Sequence, residues 1–91
     1  MKQAIEITTD DINTGLPKSC NDCPLGLAIQ RAFDIPNNCL DVQEEHAEVF
    51  LPKIKKYKVF SLPEEVREFM KIFDTGDRDV KPISFEVELT A

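Results

Sequence analysis

The distribution of apolar residues along the chain predicts five β-strands. Short segments in which apolar and polar residues alternate place their apolar side chains on one face of a strand. The last segment is the most regular, because Ile83, Phe85, Val87 and Leu89 alternate with polar neighbours. We predict strands at residues 4–8, 39–44, 47–51, 57–61 and 83–89.

Two other segments carry apolar residues at helical spacing and predict the main helices. The first helix begins at Pro24, a residue suited to the first helical position, which makes Cys23 its N-cap. Pro36 lies beyond its end and prevents its extension. The residues that repeat at the spacing of a core-facing helix stripe are Leu25, Ala28, Ile29, Ala32 and Phe33.

The second main helix follows the fourth strand. Ser61 and Glu64 have the spacing of a capping box, and Gly76 is expected to take the left-handed conformation at the end of the helix. Its apolar stripe comprises Leu62, Val66, Phe69, Met70 and Phe73. A shorter helical turn is predicted at residues 10–14, capped by Thr8 or Thr9 and ended by Gly15, which tolerates positive φ.

These elements give the order β-α-β-β-β-α-β and predict a single α+β domain over residues 1–91. The links between the three middle strands are too short for parallel crossovers, so we expect an antiparallel meander. We expect one mainly antiparallel sheet with both helices packed on its apolar face and with the two terminal strands central or adjacent. The polar face would carry Glu6, Asp41, Glu86 and Glu88.

The composition of the chain limits what such a domain can bind and where in the cell it is expected. The formal net charge of −6 opposes general nucleic-acid binding, which depends on lysines and arginines that contact phosphates. No apolar run approaches the roughly 18–20 residues of a membrane span. The first six residues lack the apolar core of a secretory signal, and three cysteines are too few for a secreted disulfide scaffold. We therefore expect a cytoplasmic protein.

Cys20 and Cys23 form the most chemically suggestive motif, a C-x-x-C pair just before a helix. Two thiols at this spacing can bind a metal or form a disulfide, and a helix N-terminus favours a thiolate. A thioredoxin-like redox role does not suit the β-meander that follows. His46 is the residue best placed to join the pair in a zinc site, because the strand that begins near residue 39 runs back toward the start of the helix. We favour the alternative that these cysteines cap and pack.

Two further groups of residues are candidate contacts for a ligand or partner. The start of the first main helix offers backbone amides to an anion, with the candidate residues Lys18, Cys23, Leu25 and Gly26. A basic hairpin could contact phosphate or a partner, and its candidate residues are Lys53, Lys55, Lys56, Tyr57 and Lys58. The simpler explanation of these lysines is a solvated turn that protects an edge strand from aggregation.

Several stretches together resemble small uncharacterised proteins of bacteriophages and prophages. Residues 23–32 read CPLGLAIQRA and are similar to a C-P-[IVL]-A-L-A-x-x-R-A helix, with Gly26 in place of the more usual Ala. The stretches that resemble the rest of the pattern are DINTG at 11–15, LPEEVREF at 62–69, FDTG at 73–76 and PISFE at 82–86. The resemblance implies a phage accessory protein acting in the host cytoplasm, and it implies no catalytic residue.

The polar residues do not form a recognisable catalytic set, so we expect a non-enzymatic protein without a cofactor. It would act by binding a host macromolecule or a small signalling ligand, and inhibition of host defence is one form of such a function. The alternative is a small zinc- or thiol-dependent domain centred on Cys20 and Cys23. Exposed strand edges are compatible with a homodimer.

Overall fold

The computed structural model describes residues 2–17, 21–77 and 79–89. Within them the protein is an α+β domain whose strands and helices follow the predicted order. The strands are β1 (Lys2–Ile7), β2 (Leu40–Val42), β3 (His46–Leu51), β4 (Lys56–Ser61) and β5 (Ile83–Glu88). The helices are α1 (Thr9–Thr14), α2 (Pro24–Phe33) and α3 (Glu64–Asp74), and a single 3₁₀ turn at Asn37–Cys39 leads into β2.

The strands form two antiparallel ladders, whereas the sequence predicted one sheet. β1 pairs with β5, and β2, β3 and β4 form the predicted meander. The prediction that the two terminal strands are adjacent is confirmed. β4 and β5 lie side by side and together line a shallow surface depression between the two ladders. Alternation along a strand identifies its buried face but does not specify its neighbour, and this is why the division was not predictable.

One hydrophobic core joins the two ladders to the helices. Ile5 and Ile7 of β1 and Phe85 and Val87 of β5 are buried on one side of their ladder. Ala47, Val49 and Phe60 are buried in the meander. Helix α2 packs on β1 and β2, and the Phe33 ring stacks on the Phe60 ring with centroids 5.9 Å apart. The four acidic residues predicted on the polar face, Glu6, Asp41, Glu86 and Glu88, are exposed.

The ends of the helices follow local sequence signals with two exceptions. Thr8 caps α1, and Gly76 has the predicted positive φ of 95°. Gly15 ends α1 with a φ of −68°, so its tolerance of positive φ is not used there. The capping box predicted from Ser61 is wrong, because Ser61 is the last residue of β4 and Pro63 is the N-cap of α3. The pairing of Ser61 with His46 in the meander overrides the local motif.

Candidate functional site

Cys23 occupies the N-cap of α2 and is buried, with only 1 % of its surface exposed. Its Sγ accepts a hydrogen bond from the Gly26 amide at 3.3 Å. Burial raises the pKa of the Cys23 thiol, and the amide hydrogen bonds of the first turn only partly oppose this effect. The side chain therefore caps and packs, as the favoured interpretation of the sequence expected.

The other members of the predicted metal site lie apart from this cap or outside the described residues. Cys20 is outside them, so the proposed thiol pair is not described. His46 is exposed at the start of β3. Cys39 is partly exposed in the 3₁₀ turn, with its Sγ 3.7 Å from Asn38 Oδ1. Within residues 2–17, 21–77 and 79–89, no group of three or more His, Cys, Asp and Glu side chains is arranged to hold a metal ion. The metal site remains a prediction.

The environment of Cys23 predicts slow modification of its thiol in the folded protein. In a Cys20→Ser/Cys39→Ser background, a maleimide should label Cys23 at least about tenfold more slowly than it labels Cys39 in the Cys20→Ser/Cys23→Ser variant, because burial and a raised pKa both reduce the accessible thiolate. Mass spectrometry of timed samples measures the two rates. Equal rates would show that Cys23 is open to solvent, and this would favour the thiol-dependent alternative.

The predicted anion site at the start of α2 is largely covered by the chain itself. Leu25 and Gly26 are buried, and the Gly26 amide already donates to Cys23 Sγ. The backbone of Asn21 lies over the first turn so closely that a Cβ atom on Gly26 would be 2.3 Å from the Asn21 carbonyl oxygen. Lys18 lies outside the described residues. Anion binding there remains a prediction.

The basic hairpin is an exposed structure with two distinct faces. The turn between β3 and β4 is formed by residues 52–55, and Lys55 takes a left-handed φ of 54°. Because neighbouring residues of a strand point to opposite faces, Lys56 and Lys58 lie on the face opposite Tyr57. The Tyr57 ring contacts the ring of Phe50, its direct partner on β3, with centroids 4.9 Å apart. The structure thus separates Lys56 and Lys58 from Tyr57, and it places Lys53 and Lys55 in the turn.

Exposed apolar side chains concentrate in this hairpin. Among the described residues, the exposed large apolar side chains are Leu16, Ile54, Tyr57, Val59 and Ile72. Ile54 and Tyr57 are 52 % and 63 % exposed, and Val59 follows Tyr57 on the same face of β4. Lys53 and Lys55 are exposed in the adjoining turn. The hairpin surface is defined here as Phe50, Ile54, Tyr57 and Val59 together with Lys53 and Lys55.

Acidic residues adjoin the hairpin surface on the same side of the meander. Asp41 of β2 lies directly opposite Glu48 of β3, and Glu48 lies directly opposite Val59. Asp41, Glu48, Phe50 and Tyr57 line one shallow depression. Along this side of the sheet the acidic pair Asp41 and Glu48 is followed by the apolar pair Phe50 and Tyr57, and the turn with its lysines lies beyond them.

A groove of about 310 Å³ lies between α3, the start of α2 and the β2–β3 turn. Leu25, Val42, Leu62 and Met70 give it an apolar lining, and Arg67 of α3 also lines it. The Arg67 Nε atom is buried and has no hydrogen-bond partner within the described parts of the chain. Sequence reasoning did not single out Arg67, because one arginine in an amphipathic helix carries no signal of its own.

Arg31 is a second arginine that sequence reasoning did not single out, and both Nη atoms of its guanidinium donate hydrogen bonds. Arg31 of α2 donates to both carboxylate oxygens of Asp11, at 2.9 and 2.8 Å, and to the Glu6 carbonyl oxygen at 2.7 Å. Asp11 is 4 % exposed and also accepts a hydrogen bond from the Thr8 amide. The pair links α1, α2 and β1, so its role is structural.

Comparison with protein-family models, with curated proteins and with solved structures finds no match to this chain. The resemblance to phage proteins therefore stays a prediction. In the part of the chain that the structure describes, every helix is too short or too polar to cross a lipid bilayer. The fold and its surfaces define a small α+β domain with a mixed apolar and basic hairpin surface on one side and a groove beside α3.

Proposed function

We propose that this protein is a non-enzymatic binding domain that engages an acidic segment of another protein through the hairpin surface. The observation that carries the proposal is the concentration of exposed apolar side chains next to two exposed lysines. Aromatic residues are the most frequent energetic anchors of protein interfaces, and Tyr57 is the most exposed of the large apolar side chains described. A non-catalytic role is supported by the burial of the Cys23 thiol as a helix cap.

The charges around the hairpin surface favour a protein partner over a nucleic acid. Lys53 and Lys55 attract negative charge at the turn, but Asp41 and Glu48 lie on the same side of the meander. These carboxylates would repel a phosphate backbone that continued along the sheet. A protein segment can place its acidic residues at the turn and its apolar residues on Tyr57 and Val59, and so avoid this repulsion.

The motif resemblance supports a particular setting for the partner. A phage accessory protein acts in the host cytoplasm, so the acidic segment would belong to a host macromolecule. Inhibition of a host defence factor is one form that such binding takes in this proposal. The fold alone does not specify the partner, because one fold carries many functions.

Selection from a random peptide library against the immobilised protein tests the proposal. We expect the selected sequences to combine Asp or Glu with large apolar residues. Tyr57→Ser should weaken the binding of a selected peptide by about 2 kcal/mol, roughly 30-fold, because an anchoring aromatic ring is lost. Lys53→Glu/Lys55→Glu should also weaken binding, and calorimetric titration measures both effects.

Calorimetric titration also measures the control variant and the outcomes that would refute the proposal. Lys81→Glu reverses the charge of an exposed lysine that is not part of the hairpin, and it should leave peptide affinity unchanged. Selected peptides without acidic residues, or peptides whose affinity is unchanged by Tyr57→Ser, would refute the proposal. Tighter binding of a single-stranded oligonucleotide than of any peptide, with steep salt dependence, would replace it with a nucleic-acid function.

A further inference from the structure

Arg67 is a half-buried residue with no acceptor for its Nε atom among the described residues, and it lines a groove large enough for a small ligand. The Nε atom is buried without a hydrogen-bond partner in the described residues, although a buried polar atom normally has one. The groove volume of about 310 Å³ is at the lower end of the usual range for small-molecule sites. A ligand in the groove would supply the Arg67 guanidinium with an acceptor that the described residues do not provide.

The lining of the groove restricts the chemistry of that ligand. The apolar side chains of the lining, Leu25, Val42, Leu62 and Met70, favour an apolar body. Arg67 requires a hydrogen-bond acceptor and favours a carboxylate, which a guanidinium binds with matched geometry. Lys71 lies one helical turn further along α3 and also lines the groove. The groove therefore offers apolar side chains to the body of the ligand and positively charged side chains to its acidic group.

Acidic residues of the groove limit the negative charge of the ligand. Glu44 and Glu45 of the β2–β3 turn and Asp74 near the end of α3 line it together with Arg67 and Lys71. Among the described residues that line the groove the carboxylates outnumber the cations, so a dianion such as phosphate meets more repulsion there than a ligand with a single negative charge. We propose that this groove binds a small aliphatic monocarboxylate, with Arg67 as the residue that holds the carboxylate. The site is separate from the hairpin surface.

Titration of the isotope-labelled protein with 4-methylpentanoate tests the proposal by NMR. We expect the side-chain N–H resonances of Arg67 to shift, because a charged acceptor then contacts its guanidinium. Arg67→Gln should weaken binding about tenfold or more, as expected for the loss of a hydrogen bond between charged groups. Lys81→Gln removes an exposed positive charge that is not part of the groove and should leave the affinity unchanged.

Three further probes keep the test decisive if Arg67→Gln fails to fold. With the unaltered protein, 4-methylpentanol lacks the carboxylate and should bind at least about tenfold more weakly. Equal binding of the alcohol would refute the role of Arg67, and tighter binding of inorganic phosphate would refute the monocarboxylate. Leucine, which adds an ammonium group, should bind at least as well as 4-methylpentanoate, because it adds no net negative charge. The absence of any shift at Arg67 with all four probes would overturn the proposal.

Discussion

Gly26→Ala is expected to lower the free energy of unfolding by about 2 kcal/mol, although alanine is the better helix former. An added Cβ atom would lie 2.3 Å from the Asn21 carbonyl oxygen and 2.6 Å from its carbonyl carbon. Both are backbone atoms, so no side-chain rotation relieves the overlap, and overpacking of this kind typically costs 1–3 kcal/mol. Overlap with backbone atoms places the cost near the upper end of that range, about 3 kcal/mol, and a gain of about 1 kcal/mol from helix propensity leaves a net loss of about 2 kcal/mol.

Thermal and urea unfolding measure this loss, and Gly76→Ala is its control. For a domain of this size we expect the melting temperature of Gly26→Ala to fall by roughly 10 °C or more. Gly76 has a φ of 95° and no atom within 4 Å of a built Cβ, so alanine there meets backbone strain without overlap and should cost about 1 kcal/mol. A Gly26→Ala protein more stable than the unaltered chain would show that the segment around Asn21 does not pack on α2.

Gly26 also shows the limit of reasoning from the helix motif alone. The resembled motif has alanine at this position, and propensity predicts that glycine slightly weakens the helix. The structure gives glycine a packing reason, since Asn21 crosses the first turn of α2 and Gln30 donates a hydrogen bond to the Asn21 carbonyl oxygen at 2.9 Å. That crossing belongs to the loop before α2, and a loop without periodic residues carries no prediction of its path.

Local sequence signals predicted the helices and strands better than they predicted which strands pair with each other. Cys23 and Pro24 predicted the start of α2 correctly, because an N-cap and a proline at the first helical position act within a single turn. Ser61 and Glu64 have the spacing of a capping box, which is an equally good local signal. Ser61 is nevertheless the last residue of β4, because it pairs with His46, fifteen residues earlier. Alternation likewise predicted five strands but not their division into two ladders.

The candidate surfaces were predictable only in part, because they too depend on which segments of the chain become neighbours. Four lysines close together identified the hairpin, but the register that places Tyr57 against Phe50 and turns Lys56 to the other face comes from pairing with β3. The groove beside α3 draws its lining from segments far apart in sequence, so Arg67 could not be connected with Val42 from the chain alone. The spacing of Thr8 and Asp11 was a usable signal for the cap of α1, but it did not identify Arg31 as a partner.

Asp11→Ala is expected to lower the free energy of unfolding by about 3 kcal/mol at neutral pH. The side chain closes the capping box of α1 with Thr8, and the loss of such a cap typically costs about 1 kcal/mol. It also accepts two hydrogen bonds from Arg31, and bonds between charged groups contribute roughly 1.5–3 kcal/mol. Asp10→Ala is the matched control, because Asp10 is the exposed neighbouring acid of the same turn and should change stability by less than about 1 kcal/mol.

The pH dependence of stability measures how strongly Arg31 and the Thr8 amide stabilise the charged form of Asp11. Burial alone would raise the pKa of the Asp11 carboxyl, but the hydrogen bonds from Arg31 and the Thr8 amide outweigh burial and hold this pKa below its usual value. A carboxyl whose pKa is lowered by folding contributes stability above its unfolded pKa of about 3.9, and this contribution is lost as the pH falls through the folded pKa. The stability difference between the unaltered protein and Asp11→Asn should therefore be constant near neutral pH and should narrow below about pH 4. Urea unfolding at a series of pH values measures it, and a difference that widens toward low pH would show that Arg31 and the Thr8 amide do not stabilise the charged form of Asp11.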